Sequence, residues 1–255
     1  RSFIEGNMSD IRDFQTRMSS PSIGRTDGEI DQGLRSYMLK VYNLMALGVA
    51  LTGLVAYAFA EAAVSNGQLT AFGTAIFASP LRWVVLLAPI GLVFFLSFRI
   101  EKMSLFAAQL TFWIYAGLVG ASLASIFMVY TDASIVKTFA VTAASFAALS
   151  LYGYTTKRSL SAMGSFMVMG LFGLIIASVV NIFLKSSALD FAVSAIGVLV
   201  FAGLTAWDTQ RIKEMYLEAD SFEAMGKKAI MGALALYMDF INLFLFMLRF
   251  MGNKE

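Results

Sequence analysis

The chain reads as an all-α membrane protein, a seven-transmembrane helix bundle, and three observations predict it. The first is composition: of 255 residues, 58% are hydrophobic and 14% charged, and the mean hydropathy is +0.73. Soluble domains sit nearer half apolar and a quarter charged. A soluble chain of this length could bury a large core, but it would still need a charged surface that these residues cannot furnish. The second observation is a series of apolar runs close to the ~20 residues that cross a bilayer. The third is the placing of Lys and Arg.

Residues 1–40 are polar and mixed in charge, with Pro21, Gly24, Gly28 and Gly33, and read as a mobile cytoplasmic tail. The basic residues of this tail lead into no short apolar segment with a cleavage site, so no signal peptide is expected. Residues 1–7, "RSFIEGN", precede Met8 and are assigned no role. The membrane domain is expected over 41–251 and a short C-terminal tail over 252–255. Its apolar runs span Tyr42 to Ala60, Trp83 to Phe98, Leu110 to Tyr130, Phe139 to Tyr154, Gly164 to Leu184, Phe191 to Trp207 and Ile230 to Phe250. The second, fourth and sixth are short, so their ends are expected to reach into flanking polar residues such as Arg99, Lys137 and Asp208. Small residues recur within the runs, as in "GLVG" (Gly117 to Gly120) and "MGLFG" (Met169 to Gly173), and permit close helix contact. The polar stretch from Thr209 to Lys228 reads as a solvated loop.

With the N-terminal tail inside, 14 of the 19 basic residues fall on the cytoplasmic side. That bias places the N-terminus in the cytoplasm and the C-terminus outside. Absences narrow the chemistry. The chain has no Cys and no His, which removes thiolate catalysis, disulfides, common zinc sites, haem ligation by His and His-based acid catalysis. No P-loop or dinucleotide fingerprint is found. No enzymatic activity, no tightly bound cofactor and no nucleic-acid partner are expected. An intramembrane aspartyl protease needs only two Asp, but nothing in these residues specifies a substrate.

One stretch resists the apolar pattern. In "LYMDFINLF", Leu236 to Phe244, an Asp stands inside a run that is otherwise hydrocarbon. A carboxylate at the centre of a membrane helix costs about 2.5 to 3.5 kcal/mol on insertion scales, so Asp239 is a functional candidate. It lies about 16 Å along the helix from Lys228. Most other acids fall in the tail or loops, and Glu101, Asp132 and Asp190 fall at the interfaces. Asp208 closes the sixth run in "LTAWDTQRIK", Leu204 to Lys213. The sixth and seventh helices must run antiparallel, so Asp208 and Asp239 meet if the sixth helix continues past Asp208. Two carboxylates a few ångströms apart in a poorly solvated place cannot both ionise readily and would share a proton. Without His, such a dyad is the plausible proton sensor. Deprotonated, it offers hard oxygens suited to Ca²⁺, and Asn242, one turn from Asp239, adds an amide oxygen on the same face. Calcium takes 6 to 8 oxygens, so these three residues make a weak, permissive metal site completed by water and backbone.

"WDTQRIK" (Trp207 to Lys213), "LALYMDFINLFLFMLRF" (Leu234 to Phe250) and "YNLMALGVALTG" (Tyr42 to Gly53) together resemble the Bax inhibitor-1 family, also called YccA-like or transmembrane Bax inhibitor motif proteins, in its bacterial form. The resemblance spans roughly residues 35 to 251. It implies a multi-pass inner-membrane protein whose last helix is central, and a pH-sensitive calcium leak channel that opens in acid, with calcium as the permeant ion. It implies that Asp208 and Asp239 form the dyad. It also implies a basic latch at the cytoplasmic end of the second helix, where "FRIEKM" (Phe98 to Met103) supplies two candidates, Arg99 and Lys102. Two other classes stay open. A proton-coupled cation exchanger would also want membrane carboxylates, but no internal repeat is evident and Pro occurs only 3 times. A non-conducting regulator of a membrane protease or of a cell-death pathway is the other. Saturable flux that demands a counter-ion marks the first, and purified protein passing no ion marks the second.

Overall fold

The computed structural model describes residues 27–253. The chain divides into a unit Arg1–Arg35 and a unit Ser36–Glu255. Of the first, residues 27–35 are described and are helical. The second carries the membrane helices.

Among the described residues, seven helices are long and apolar enough to cross a membrane. They are α1 (Asp27–Ala63), α2 (Leu81–Arg99), α3 (Leu105–Leu123), α4 (Asp132–Thr155), α5 (Ser161–Leu184), α6 (Ser187–Glu214) and α7 (Phe222–Met251). Helix α1 starts well before the expected Tyr42, so the tail read as 1–40 is helical from Asp27 onward. The rest of that tail, 1–26, and residues 254–255 at the other end lie outside the described residues. Burial within α1 is periodic from Tyr37 onward. Tyr37, Met38, Val41, Leu44, Met45, Val49, Thr52 and Ala56 are buried at spacings of three and four, a stripe that polar neighbours hide from a search for continuous apolar runs.

Local signals set the other ends. Ser104, Thr131, Ser186 and Ser221 cap α3, α4, α6 and α7, each hydroxyl accepting a backbone N–H three residues on, which satisfies a donor the helix itself cannot. After α1 the chain turns through a two-stranded hairpin, β1 (Val64–Ser65) and β2 (Gln68–Leu69). Asn66 and Gly67 both have positive φ at its tip, the conformation that Asn-Gly favours. The stretch read as a loop from Thr209 is shorter than expected, because α6 runs on to Glu214 and α7 begins at Phe222.

Helix α7 is enclosed by the others. Tyr237 meets Phe112 and Tyr115 of α3 edge-on, Phe240 meets Phe139 and Phe146 of α4, and Phe246 stacks on Phe201 of α6. The Tyr237 and Thr52 hydroxyls lie 2.5 Å apart and join α7 to α1, while Thr52 donates to the Ala116 carbonyl of α3. Close approach depends on glycine at Gly153, where a Cβ would fall 2.1 Å from the Ala206 carbonyl oxygen. Side chains larger than hydrogen cannot stand there, and α4 packs on α6 through backbone.

Candidate functional site

Because α6 does not stop at Asp208, it carries that carboxyl alongside Asp239 on antiparallel α7. Both carboxyls are buried and line one cavity, and a hydrogen bond between two such carboxyls requires one of them to hold a proton. Asp208 is 7% and Asp239 5% exposed. Asp208 Oδ1 and Asp239 Oδ2 are buried without a hydrogen-bond partner. Arg211 Nη2 lies 2.8 Å from Asp208 Oδ1, the distance of an ion pair without the alignment of a hydrogen bond. The Arg211 side chain is half exposed and its guanidinium lies over the Trp207 ring at 4.9 Å.

The dyad opens on a cavity of about 580 Å³ between α5, α6 and α7. Its walls are mostly apolar, and Asn242, Ser178 and Arg211 share them with the two acids. Asn242 Nδ2 donates to the Met238 carbonyl at 2.8 Å, so the side-chain oxygen is the half left for a ligand. Among the described residues no cluster of three or more acidic, Cys or His side chains could hold a metal. Asp208, Asp239 and Asn242 supply only a few of the 6 to 8 oxygens that a calcium ion takes.

The neighbouring residues of the "DTQ" motif hold the frame. Ser150 of α4 bonds both the Tyr42 hydroxyl, at 2.6 Å, and the Thr209 hydroxyl, at 2.8 Å. Gln210 Oε1 accepts from Leu160 N at 2.8 Å while its Nε2 donates to the Arg158 carbonyl at 2.9 Å, which ties the α4–α5 connection to α6. These contacts lock the turn of helix that carries Asp208.

Arg99 and Lys102 are not brought to the dyad. Both are exposed at the end of α2, where the Glu101 carbonyl accepts from Lys227 Nζ at 3.2 Å. Lys227 precedes Asp239 by twelve residues, about 18 Å along the helix, farther than an arginine or lysine can reach. The base at the dyad is Arg211, three residues from Asp208 on one helix face, a spacing legible in the sequence. At the other end of the same helix pair, Asp190 and Arg249 form an ion pair across α6 and α7. At that end of the bundle a polar hollow of about 570 Å³ is lined by Glu61, Gln68 and Asp132.

With the geometry in place, comparison with known proteins decides the family. A family model described as "Inhibitor of apoptosis-promoting Bax1" matches residues 34–255. The chain belongs to the Bax inhibitor-1 family. It is 47% identical over 243 residues to the uncharacterized protein RP147 of Rickettsia prowazekii, covering 95% of this chain and 99% of that one. It is 47% identical over 225 residues to the inner membrane protein YbhL of Escherichia coli K12, covering 88% of this chain and 94% of YbhL. A Caulobacter vibrioides protein is 45% identical over 235 residues, 91% of this chain and 94% of its own length. With its seven apolar helices, this member of the Bax inhibitor-1 family is a multi-pass inner-membrane protein.

Proposed function

We propose that this Bax inhibitor-1 family protein is a pH-sensitive calcium leak channel gated by Asp208 and Asp239. The observation that carries the reading is the meeting of two buried carboxyls, each with an unbonded oxygen, at a cavity inside a membrane bundle. Their insertion cost calls for a role. In the closed state Arg211 holds the ionised Asp208; protonation weakens that ion pair and frees the cytoplasmic end of α6 relative to α7. The acidic hollow around Glu61 and Asp132 would concentrate cations at the outer entrance. Asn242 and the dyad oxygens would offer calcium a low-affinity stop on the way.

The test is calcium flux into liposomes holding the purified protein, from about pH 6 to pH 8, the range of a proton-sharing carboxyl pair. Asp239→Asn and Asp208→Asn keep size and remove the titration, so each is expected to flatten the pH profile. A wild-type profile in Asp239→Asn would make the dyad structural. Arg211→Gln is expected to raise the basal leak, while Arg99→Gln and Lys102→Gln leave it unchanged; the reverse outcome returns the latch to α2. The family model's description as an inhibitor of apoptosis-promoting Bax1 favours a second reading, a non-conducting regulator of a death pathway or of a membrane protease. Liposomes that pass no ion at any pH would select it.

A further inference from the structure

The dyad cavity is larger and greasier than a calcium ion requires. Its α5 wall runs from Val168 to Ile182, fifteen residues or about 21 Å of helix. Ile175, Val179 and Ile182 line the cavity and are themselves 52%, 50% and 68% exposed. The groove is thus continuous with the lipid-facing surface, so a chain can enter it from the bilayer. Its volume of about 580 Å³ falls among small-ligand sites and suits one long chain.

At one end of this apolar groove stand two carboxyls that could recognise a head group. Asp208 Oδ1 and Asp239 Oδ2 are buried and lack hydrogen-bond donors, a costly state in a water-poor interior. When the dyad gives up its shared proton, two carboxylates face the single Arg211 guanidinium and leave a net negative charge. A primary ammonium answers both needs. It brings one positive charge and three N–H donors, enough for the two orphaned oxygens and the side-chain oxygen of Asn242. An alcohol brings one donor and no charge, a quaternary ammonium charge without donors, and a carboxylate the wrong sign.

We propose that the cavity between α5, α6 and α7 binds a single-chain amphiphile with a primary ammonium head, the head on Asp208 and Asp239 and the chain along α5. The site overlaps the proposed gate but requires no ion conduction.

Trp207 lines the cavity and reports on it directly. The full chain carries 3 Trp, so Trp83→Phe and Trp113→Phe leave Trp207 as the sole reporter. In calcium-free phosphatidylcholine nanodiscs, hexadecylamine brominated along its chain is expected to quench Trp207 saturably. Its half-saturation should lie about tenfold or more below that of the matching brominated alcohol and trimethylammonium compounds, the scale of one charge-assisted hydrogen bond to a buried group. Asp239→Asn should remove that preference, with Asp208→Asn as the second test if the first variant does not fold. Ser178→Phe, which narrows the groove on the lipid-facing helix, should weaken all three probes. Unsaturable quenching alike for the three heads, or a preference that survives both Asn variants with unchanged thermal unfolding, overturns the proposal. Calcium is absent throughout, so a failed flux assay leaves this result standing and the converse holds as well.

Discussion

Helices α5 and α7 are both long and apolar, yet they face opposite surroundings. Of the most apolar stretch of α7, 61% is buried inside the protein, against 6% for α5, although α5 is the more apolar of the two. In water the greasier helix would be the core. In a bilayer hydrocarbon is solvent, so apolarity no longer sorts inside from outside, and packing and polar contacts do it instead. Helix α7 carries Tyr237, Asp239 and Asn242 on its buried length, whereas α5 carries no ionisable residue between Ser161 and Leu184. The helix with the polar side chains is the one drawn to the centre.

Four measurements would break or sharpen that contrast. The largest effect is all-or-none. If α7 is a simple crossing from the cytoplasm outward, reporter fusions between Glu214 and Phe222 and after Glu255 fall on opposite sides; a cytoplasmic result for both would mean that α7 does not cross. Next comes Gly153→Ala, where the new methyl would sit 2.1 Å from the Ala206 carbonyl oxygen. Overpacking of that kind costs about 1–3 kcal/mol, to be read as a lower unfolding midpoint in detergent. Tyr237→Phe removes the hydroxyl that meets Thr52 at 2.5 Å and should cost about 1 kcal/mol in the same assay. Gly173→Ala on α5 meets nothing within 4 Å, so it should leave the midpoint unchanged or raise it by up to about 1 kcal/mol through helix propensity. Equal losses at Gly153 on α4 and Gly173 on α5 would show that α5 is packed against its neighbours as closely as α4 is.

Several parts of this molecule were legible without coordinates. The seven spans follow from hydrocarbon length, and Asp239 stands out because a carboxylate in an apolar run has few reasons to be there. Span ends were less legible. Helix α1 begins at Asp27 rather than near Tyr42, and the part of that extension from Tyr37 on is a periodic buried stripe, which leaves no continuous apolar run. Among the small-residue patterns, Gly120 does meet α1, with a Cβ position 2.6 Å from the Thr52 carbonyl, while Gly117 and Gly173 meet nothing. Glycine is permissive of contact and does not require it.

From its sequence alone this protein is a seven-span membrane bundle with two acids destined for the cytoplasmic half, because length, apolarity and charge placement act along the chain and need no partner. That Arg99 and Lys102 stay away from those acids was decided only by tertiary structure. Arg99, Lys102 and Arg211 are chemically equivalent as cations, but the first two end beside Lys227, a helical distance of about 18 Å from Asp239, while Arg211 reaches Asp208 from one turn away on the same helix. The amphiphilic groove is likewise invisible in one dimension, since its walls come from three helices and its existence depends on how far α5 stands from α6 and α7. Helical periodicity sets which side chains share a face; the depth at which faces from different helices coincide is set by packing.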